Sequence, residues 1–211
     1  MATNDVKIPQ QSSGGLFAEQ TLTAILGVIG FNSLGQLVVH DGGALRGIIG
    51  ASAYIPAGAC RATVTNGAAA GVVQIASGQP QVESFDFDTS TEEHVQLVLP
   101  YNGNWGTAIK AKFHWSHAAT TTNFGVTWRV QALAMSNDDA LGVAWSNGQL
   151  IADTGGTTND LYTSDWTPSC TIEGSPATGD LVFFRFSRVP SDGSDTMAID
   201  ARLMYVEIDK A

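Results

Sequence analysis

The chain has 211 residues, with 10 Lys and Arg against 20 Asp and Glu, giving a formal net charge of −10. That length holds one large β domain, or one domain with a small appendage, and it can bury a core without disulfide staples. The acidic balance argues against nucleic acid and anionic membranes as partners, because both are held by neutralising phosphates with Lys and Arg.

Residues 1–15, which end in Gln-Gln-Ser-Ser-Gly-Gly, are polar and rich in turn formers, and taken alone they read as disordered. Met1 to Lys7 lacks the basic character of a secretory leader. The apolar stretch 22–31 is far shorter than the ~20 residues needed to span a bilayer. Residues 16–30 are ambiguous. Leu22, Leu26 and Ile29 fall on one helical stripe, whereas Thr21, Thr23, Ile25 and Val28 favour strand. Residues 36–40 and 44–49 then read as a hairpin around Asp41-Gly42-Gly43, where Asp-Gly tolerates the positive φ of a tight turn. This piece is too small for a core of its own, so residues 1–50 are expected to be an anchoring arm and residues 51–211 the main domain.

Beyond residue 50 the strands come quickly. Residues 59–64 and a small-residue run through Ile75 flank the turn Thr65-Asn66-Gly67. Phe85 and Phe87 share one face of the next strand; Val95, Leu97 and Leu99 share one face of another, which Pro100 ends. Two stretches then alternate strictly. Ile109, Ala111, Phe113 and Trp115 oppose Ala108, Lys110, Lys112 and His114. Phe124, Val126, Trp128, Val130 and Ala132 oppose Thr127, Arg129 and Gln131. A period of two predicts half-buried strands with an aromatic core face. Ser136-Asn137-Asp138-Asp139 reads as the capped start of a short helical turn through Ala144. Further strands are expected over 150–153, 161–163, 170–172, 181–189 and 197–208. Some eight strands at this spacing predict an all-β, jelly-roll-like two-sheet sandwich.

The chemistry-bearing residues do not assemble into a familiar pattern. His114 and His117 lie three apart and Asp138 and Asp139 follow later, but no ligand spacing typical of zinc is present, nor a D-x-D-x-D-G calcium loop. Glu92 with Glu93, or Asp86 with Asp88, offers carboxylates for glycoside hydrolysis without fixing their separation. There is no G-x-S-x-G elbow, and Thr154-Gly155-Gly156-Thr157 lacks the Lys of a phosphate loop. Cys60 and Cys170 stand outside any C-x-x-C pair and read as buried free thiols. The reading is therefore of a non-enzyme with no catalytic residue, no cofactor and no metal. Among the five Trp residues, Trp115 and Trp128 belong to the core faces. Trp105 and Trp166 lie in loops, and they are the two candidates for stacking against a host glycan.

An ordered set of motifs runs from residue 51 onward. It begins with Tyr54-Ile55-Pro56-Ala57, Thr65-Asn66-Gly67-Ala68 and Phe85-Asp86-Phe87-Asp88-Thr89-Ser90-Thr91-Glu92-Glu93. Phe113-His114-Trp115-Ser116-His117-Ala118, Asn123-Phe124-Gly125-Val126-Thr127-Trp128 and Ser136-Asn137-Asp138-Asp139-Ala140-Leu141 follow. Gly179-Asp180-Leu181-Val182-Phe183-Phe184, Asp192-Gly193-Ser194-Asp195-Thr196 and Ile199-Asp200-Ala201-Arg202-Leu203 complete it. The set resembles small virion structural proteins of tailed bacteriophages, of the tail-fibre and capsid-surface type. The resemblance implies a non-enzymatic β-sandwich at the virion surface, made in the host bacterial cytoplasm and commonly trimeric. Residues 1–50 would then bind other virion proteins. A receptor-binding head for host surface glycans is the alternative. In strand 181–189 both faces carry bulky groups, Phe183, Arg185 and Ser187 against Val182, Phe184 and Phe186. This suits burial once in the core and once against a neighbouring copy, as a homotrimer requires.

Overall fold

The computed structural model describes residues 28–31, 37–41, 44–47, 52–118 and 124–211. The chain divides into two units, Met1–Gly50 and Ala51–Ala211. In the first, β1 (Val28–Phe31), β2 (Leu37–Asp41) and β3 (Ala44–Gly47) form an antiparallel meander. Asp41 pairs with Ala44, so the hairpin expected around Asp-Gly is present as a strand pair. Its turn residues, Gly42 and Gly43, lie outside the described residues, as does the ambiguous stretch 16–27.

The second unit runs β4 (Ala53–Pro56), β5 (Arg61–Ala62), β6 (Ala69–Val73), β7 (Val82–Phe87), β8 (His94–Pro100), β9 (Ala108–Ser116), β10 (Phe124–Met135), β11 (Gln149–Gly155), β12 (Tyr162–Thr163), β13 (Cys170–Glu173), β14 (Leu181–Arg188) and β15 (Ala201–Lys210). It is a jelly-roll-like sandwich. One sheet is ordered β5-β8-β14-β10, with β11 on the far edge of β10. The other places β9 beside β15, which pairs along its opposite edge first with β7 and then with β4; β6 closes the β7 edge. The short β13 joins the two sheets, parallel to β10 through Ala132 and Ile172 and antiparallel to β9 through Cys170 and Ile109.

Alternation explains the core. Ile109, Ala111, Phe113 and Trp115 of β9 are fully buried and face Val126, Trp128, Val130 and Ala132 of β10 across the sandwich. Phe113 stacks on Trp128 at 5.4 Å, Phe87 meets the same indole edge-on at 5.3 Å, and Phe186 meets Phe113 edge-on at 6.1 Å. Offset and edge-to-face arrangements of this kind suit the aromatic quadrupole. In β15 the inward phase shifts from Ala201 and Leu203 to Val206 and Ile208. A bulge between Leu203 and Tyr205 absorbs one residue of register against β9, and both halves of the strand keep apolar side chains inside.

Two expectations change. β10 is not half-buried: Thr127, Gln131 and Leu133 on its polar-parity face are buried as well as the core side. The segment after β14 and the loop before β11 fold over that face, with Asp195 accepting from the Thr127 backbone amide and the Ser146 carbonyl accepting from the Gln131 side-chain amide. Residues 136–142 are turns and not the start of a helix. Asp138 has φ +70, outside the helical region, and the Asp139 carboxylate reaches back to accept from the Ser136 amide, closing the turn on itself. Both cysteines are buried free thiols, which burial pushes up to about 12 for Cys60 and about 11 for Cys170.

One buried charge is fully engaged. The Arg188 Nε and Nη2 groups donate to the two oxygens of Asp195 at 3.0 and 2.8 Å. Nη2 also reaches the Met197 carbonyl at 2.5 Å, while Nη1 reaches the carbonyls of Phe87 and Ile199 at 3.2 and 2.8 Å. All five guanidinium donors are thus used, the condition under which a buried Arg is tolerated.

Trp128→Ala should cost about 3–5 kcal/mol, and Arg188→Ala a similar ~3–5 kcal/mol, because it strands a buried carboxylate. Arg129→Ala, next to Trp128 but in a half-exposed pair with Glu92 at 2.5 Å, should cost about 1 kcal/mol or less. Guanidinium melts would rank the three. An Arg129 loss equal to that of Trp128 would overturn the assignment of inward and outward faces in β10.

Candidate functional site

The two loop tryptophans have opposite fates. Trp105 is 2 % exposed, edge-on to Phe184 at 5.4 Å and close to Tyr101 at 6.5 Å. The short 3₁₀ turn Gly103–Trp105, whose Asn104 amide bonds the Asn102 side chain, folds the indole inward as a plug for one end of the core. It presents no face to a ligand, so its expected glycan contact is corrected. Loop position alone does not expose a side chain this large when an apolar end of the sandwich needs covering.

Trp166 is half-exposed, and the local backbone explains why. Segment 162–170 runs along the free edge of β9, but two side chains replace part of the ladder. The Ser164 hydroxyl accepts from the Phe113 amide at 3.0 Å and the Thr167 hydroxyl from the Ala111 amide at 2.9 Å. The amides of Ser164 and Thr167 return bonds to the carbonyls of Phe113 and Ala111. Between these two anchored points Asp165 and Trp166 are held off the ladder, which carries the indole outward. The Lys110 and Lys112 ammonium groups, on the outward face of β9, lie 4.9 and 4.6 Å from the ring centroid, well within cation–π range.

A groove of about 500 Å³ opens beside this indole. Trp166, Thr167 and Pro168 form one wall and Leu150 to Ala152 of β11 the other, with Thr127, Asp192 and Ser194 at one end. β11 pairs with β10 alone, so the peptide groups of its other edge are available for hydrogen bonding among the described residues. The Ser194 amide, donating to Asp192 at 2.9 Å, holds that carboxyl below its ordinary value, and the Thr127 hydroxyl at 3.2 Å acts in the same direction. The site thus offers an aromatic face, an apolar strip and one anchored carboxylate acceptor. Such a mixture fits an amphipathic ring with hydroxyls at its rim.

The carboxylates and histidines considered for catalysis or metal binding are spread apart and serve the fold. Glu92 pairs with Arg129, Glu93 accepts from the Asp88 amide at 2.8 Å, and Asp88 caps a turn by accepting from the amides of Ser90 and Thr91. The Ser90 hydroxyl and these amides hold the Asp88 carboxyl at about 2. His114 stands edge-on to Tyr205, while His117 stacks on Tyr162 inside a ring cluster with Trp115 and Phe124. Among the described residues, no three His, Cys, Asp or Glu side chains group as metal ligands. Lys110, Lys112, Thr127, Asp192 and Ser194 carry no sequence signal tying them to Trp166, since they come from three segments separate from its own. The Asp192-Gly193-Ser194 turn marks only a local bend.

No family model matches the chain, and no curated protein matches it. Among solved structures, it is similar to a family 35 carbohydrate binding module from Clostridium thermocellum, at 11% identity and a TM-score of 0.44, over 76% of this chain and 98% of that one. It is also similar to the CBM22-2 xylan-binding domain of Paenibacillus barcinonensis Xyn10C, at 14% identity and a TM-score of 0.46, over 75% and 99%. A third is the family 11 module from Clostridium thermocellum in complex with a β-1,3-1,4-mixed-linked tetrasaccharide, at 10% identity and a TM-score of 0.35, over 76% and 89%.

Burial is the leading cause that lowers the pKa of His94, His114 and His117 below the ordinary 6.5. The folded chain therefore binds these protons less tightly than the unfolded one. Their contribution is intact above about pH 6.5 and is lost as pH falls through that value toward the lower folded pKa values. Glu93 and Asp200, raised mainly by burial, act in the opposite sense at more acidic pH. Thermal midpoints should fall between about pH 7.5 and about pH 5.5, and fall less in His94→Gln. A flat profile over that interval would refute the assignment.

Proposed function

We propose that the unit Ala51–Ala211 is a non-catalytic saccharide-binding β-sandwich whose contact point is the groove beside Trp166. The observation that carries this reading is the half-exposed indole held out between Ser164 and Thr167 at the rim of a groove ending in Asp192. A sugar ring would lay its apolar face on the indole while its hydroxyls donate to Asp192 and to the strand-edge carbonyls of β11. Hydrolysis of a glycosidic bond calls for two carboxylates flanking it. The groove lining holds one, Asp192, so the arrangement supports retention of the ligand and not its cleavage.

The setting we propose is the surface of a bacteriophage particle, with residues 1–50 bound to other virion proteins and the sandwich displayed outward as a homotrimer. This part is supported by the ordered motifs that resemble virion structural proteins. A mass-spectrometric inventory of purified particles would test it, and absence of the chain from the particle would overturn it. For the saccharide site, a glycan array should return a defined set of ligands. Trp166→Ala should weaken binding at least about tenfold, the loss of one stacking contact, with the melting temperature unchanged. A blank array, or undiminished binding by the variant, would refute the site.

A further inference from the structure

The outer face of the β8-β14-β10 sheet is organised in rows that the strand register makes explicit. His94, Ser187 and Arg129 lie side by side, then Gln96, Arg185 and Gln131, then Val98, Phe183 and Leu133, and finally Pro100, Leu181 and Met135. One half of the face is polar and the other apolar. Within the polar half the chain covers itself. Arg185 donates to Gln131 at 2.6 Å and lies 4.9 Å from the Trp145 ring centroid, and the Ser187 hydroxyl bonds His94 at 2.7 Å. That part of the two-faced strand needs no neighbour. In the apolar half, Val98 and Leu181 are 41% and 46% exposed. Beside it the loop before β11 holds out Leu141 at 79% and Val143 at 47% exposure. A groove of about 680 Å³ lies next to them, lined by Leu133, Met135, Val143 and Trp145, with the carboxylates of Asp139 and Glu173 also in its lining.

None of the outward positions in these rows carries a carboxylate, in a chain that has 20 acidic residues and a net charge of −10. Two of its arginines, Arg129 and Arg185, stand in the polar rows. Copies of so acidic a chain repel each other over most of their surface, and desolvating unpaired carboxylates against one another is costly. The rows themselves escape both penalties, and the nearby carboxylates, Asp139 and Glu173, line the groove beside them. This face also carries a protruding Leu141 beside a groove of mixed lining, so it offers a projection and a recess on the same surface, as contact between identical copies requires. We propose that the occupant of the apolar half is a second copy of this chain, with Val98, Leu181, Phe183 and Leu141 turned toward the symmetry axis. The inference does not depend on the saccharide site, which lies along β11 and segment 166–168.

The test is the mass of the full-length chain in solution at micromolar concentration, by light scattering. The expected result is a whole-number multiple of the 22.1 kDa monomer, threefold for the proposed trimer. Leu181→Glu and, separately, Leu141→Glu should each reduce the mass to that of the monomer while preserving the far-UV spectrum and a cooperative melt. Tyr54→Glu, an equally exposed change on the outer face of the other sheet, should leave the oligomer intact. A monomeric parent chain would overturn the proposal. So would an oligomer that survives both leucine changes, or one that Tyr54→Glu dissolves as readily. Glycan binding measured on the same variants separates the two claims, because a monomer that still binds saccharide leaves the groove assignment standing.

Discussion

Arg188 is the constraint on which the architecture turns. A guanidinium taken wholly out of water is tolerated only when each N–H finds an acceptor, and here the acceptors come from the end of β7, from Asp195 and from the backbone at 197 and 199. Meeting that demand fixes how the chain leaves β14, how it enters β15, and where β7 ends relative to both. Asp195 is shared with the Thr127 amide, so the same carboxylate ties the crossover to β10. Asp192 and Ser194, only a few residues before it, come to rest beside Thr127 as a consequence. The polar end of the Trp166 groove is thus a by-product of satisfying a buried charge.

The aromatic column works alongside this polar tie. Phe87, Phe113, Trp128 and Phe186 come from four strands in both sheets, and their edge-on and stacked contacts set the spacing between the layers. At one end the column continues through Phe184 to Trp105, and at the other through Trp115 to Tyr162 and His117. Large rings therefore close both ends of the core. That explains why a tryptophan in a polar loop, flanked by Asn and Gly, is buried.

The outer faces of the two sheets are chemically distinct. One interleaves lysines and carboxylates, with Lys112 opposite Glu207 and Lys110 opposite Asp209 in register. The other is free of carboxylates at its outward positions and grades from arginine to leucine along the strands. A surface of mixed charge on one side and a carboxylate-free, partly apolar one on the other gives the molecule a direction, with different surfaces suited to water and to contact.

The amino-acid sequence by itself determined the strand content, the sandwich and much of the core. Alternation at 108–115 and 124–132 is a local property that side-chain direction in a pleated strand obeys wherever the strand is placed. The same is true of the Asp41-Gly42 hairpin signal and of the turn chemistry that separates the strands. Tertiary structure alone decided what depends on residues far apart in the chain. It buried the polar-parity face of β10 under two loops, turned Trp105 inward and Trp166 outward, and converted the Asp138 segment from an expected helix start into a turn closed by the Asp139 carboxylate. The pairing of Arg188 with carbonyls at 87 and 199, and the meeting of Trp166 with Asp192, have no periodicity to announce them. Hydrogen-bond satisfaction and the filling of core ends are conditions on the whole packed chain, and no local window of sequence contains them.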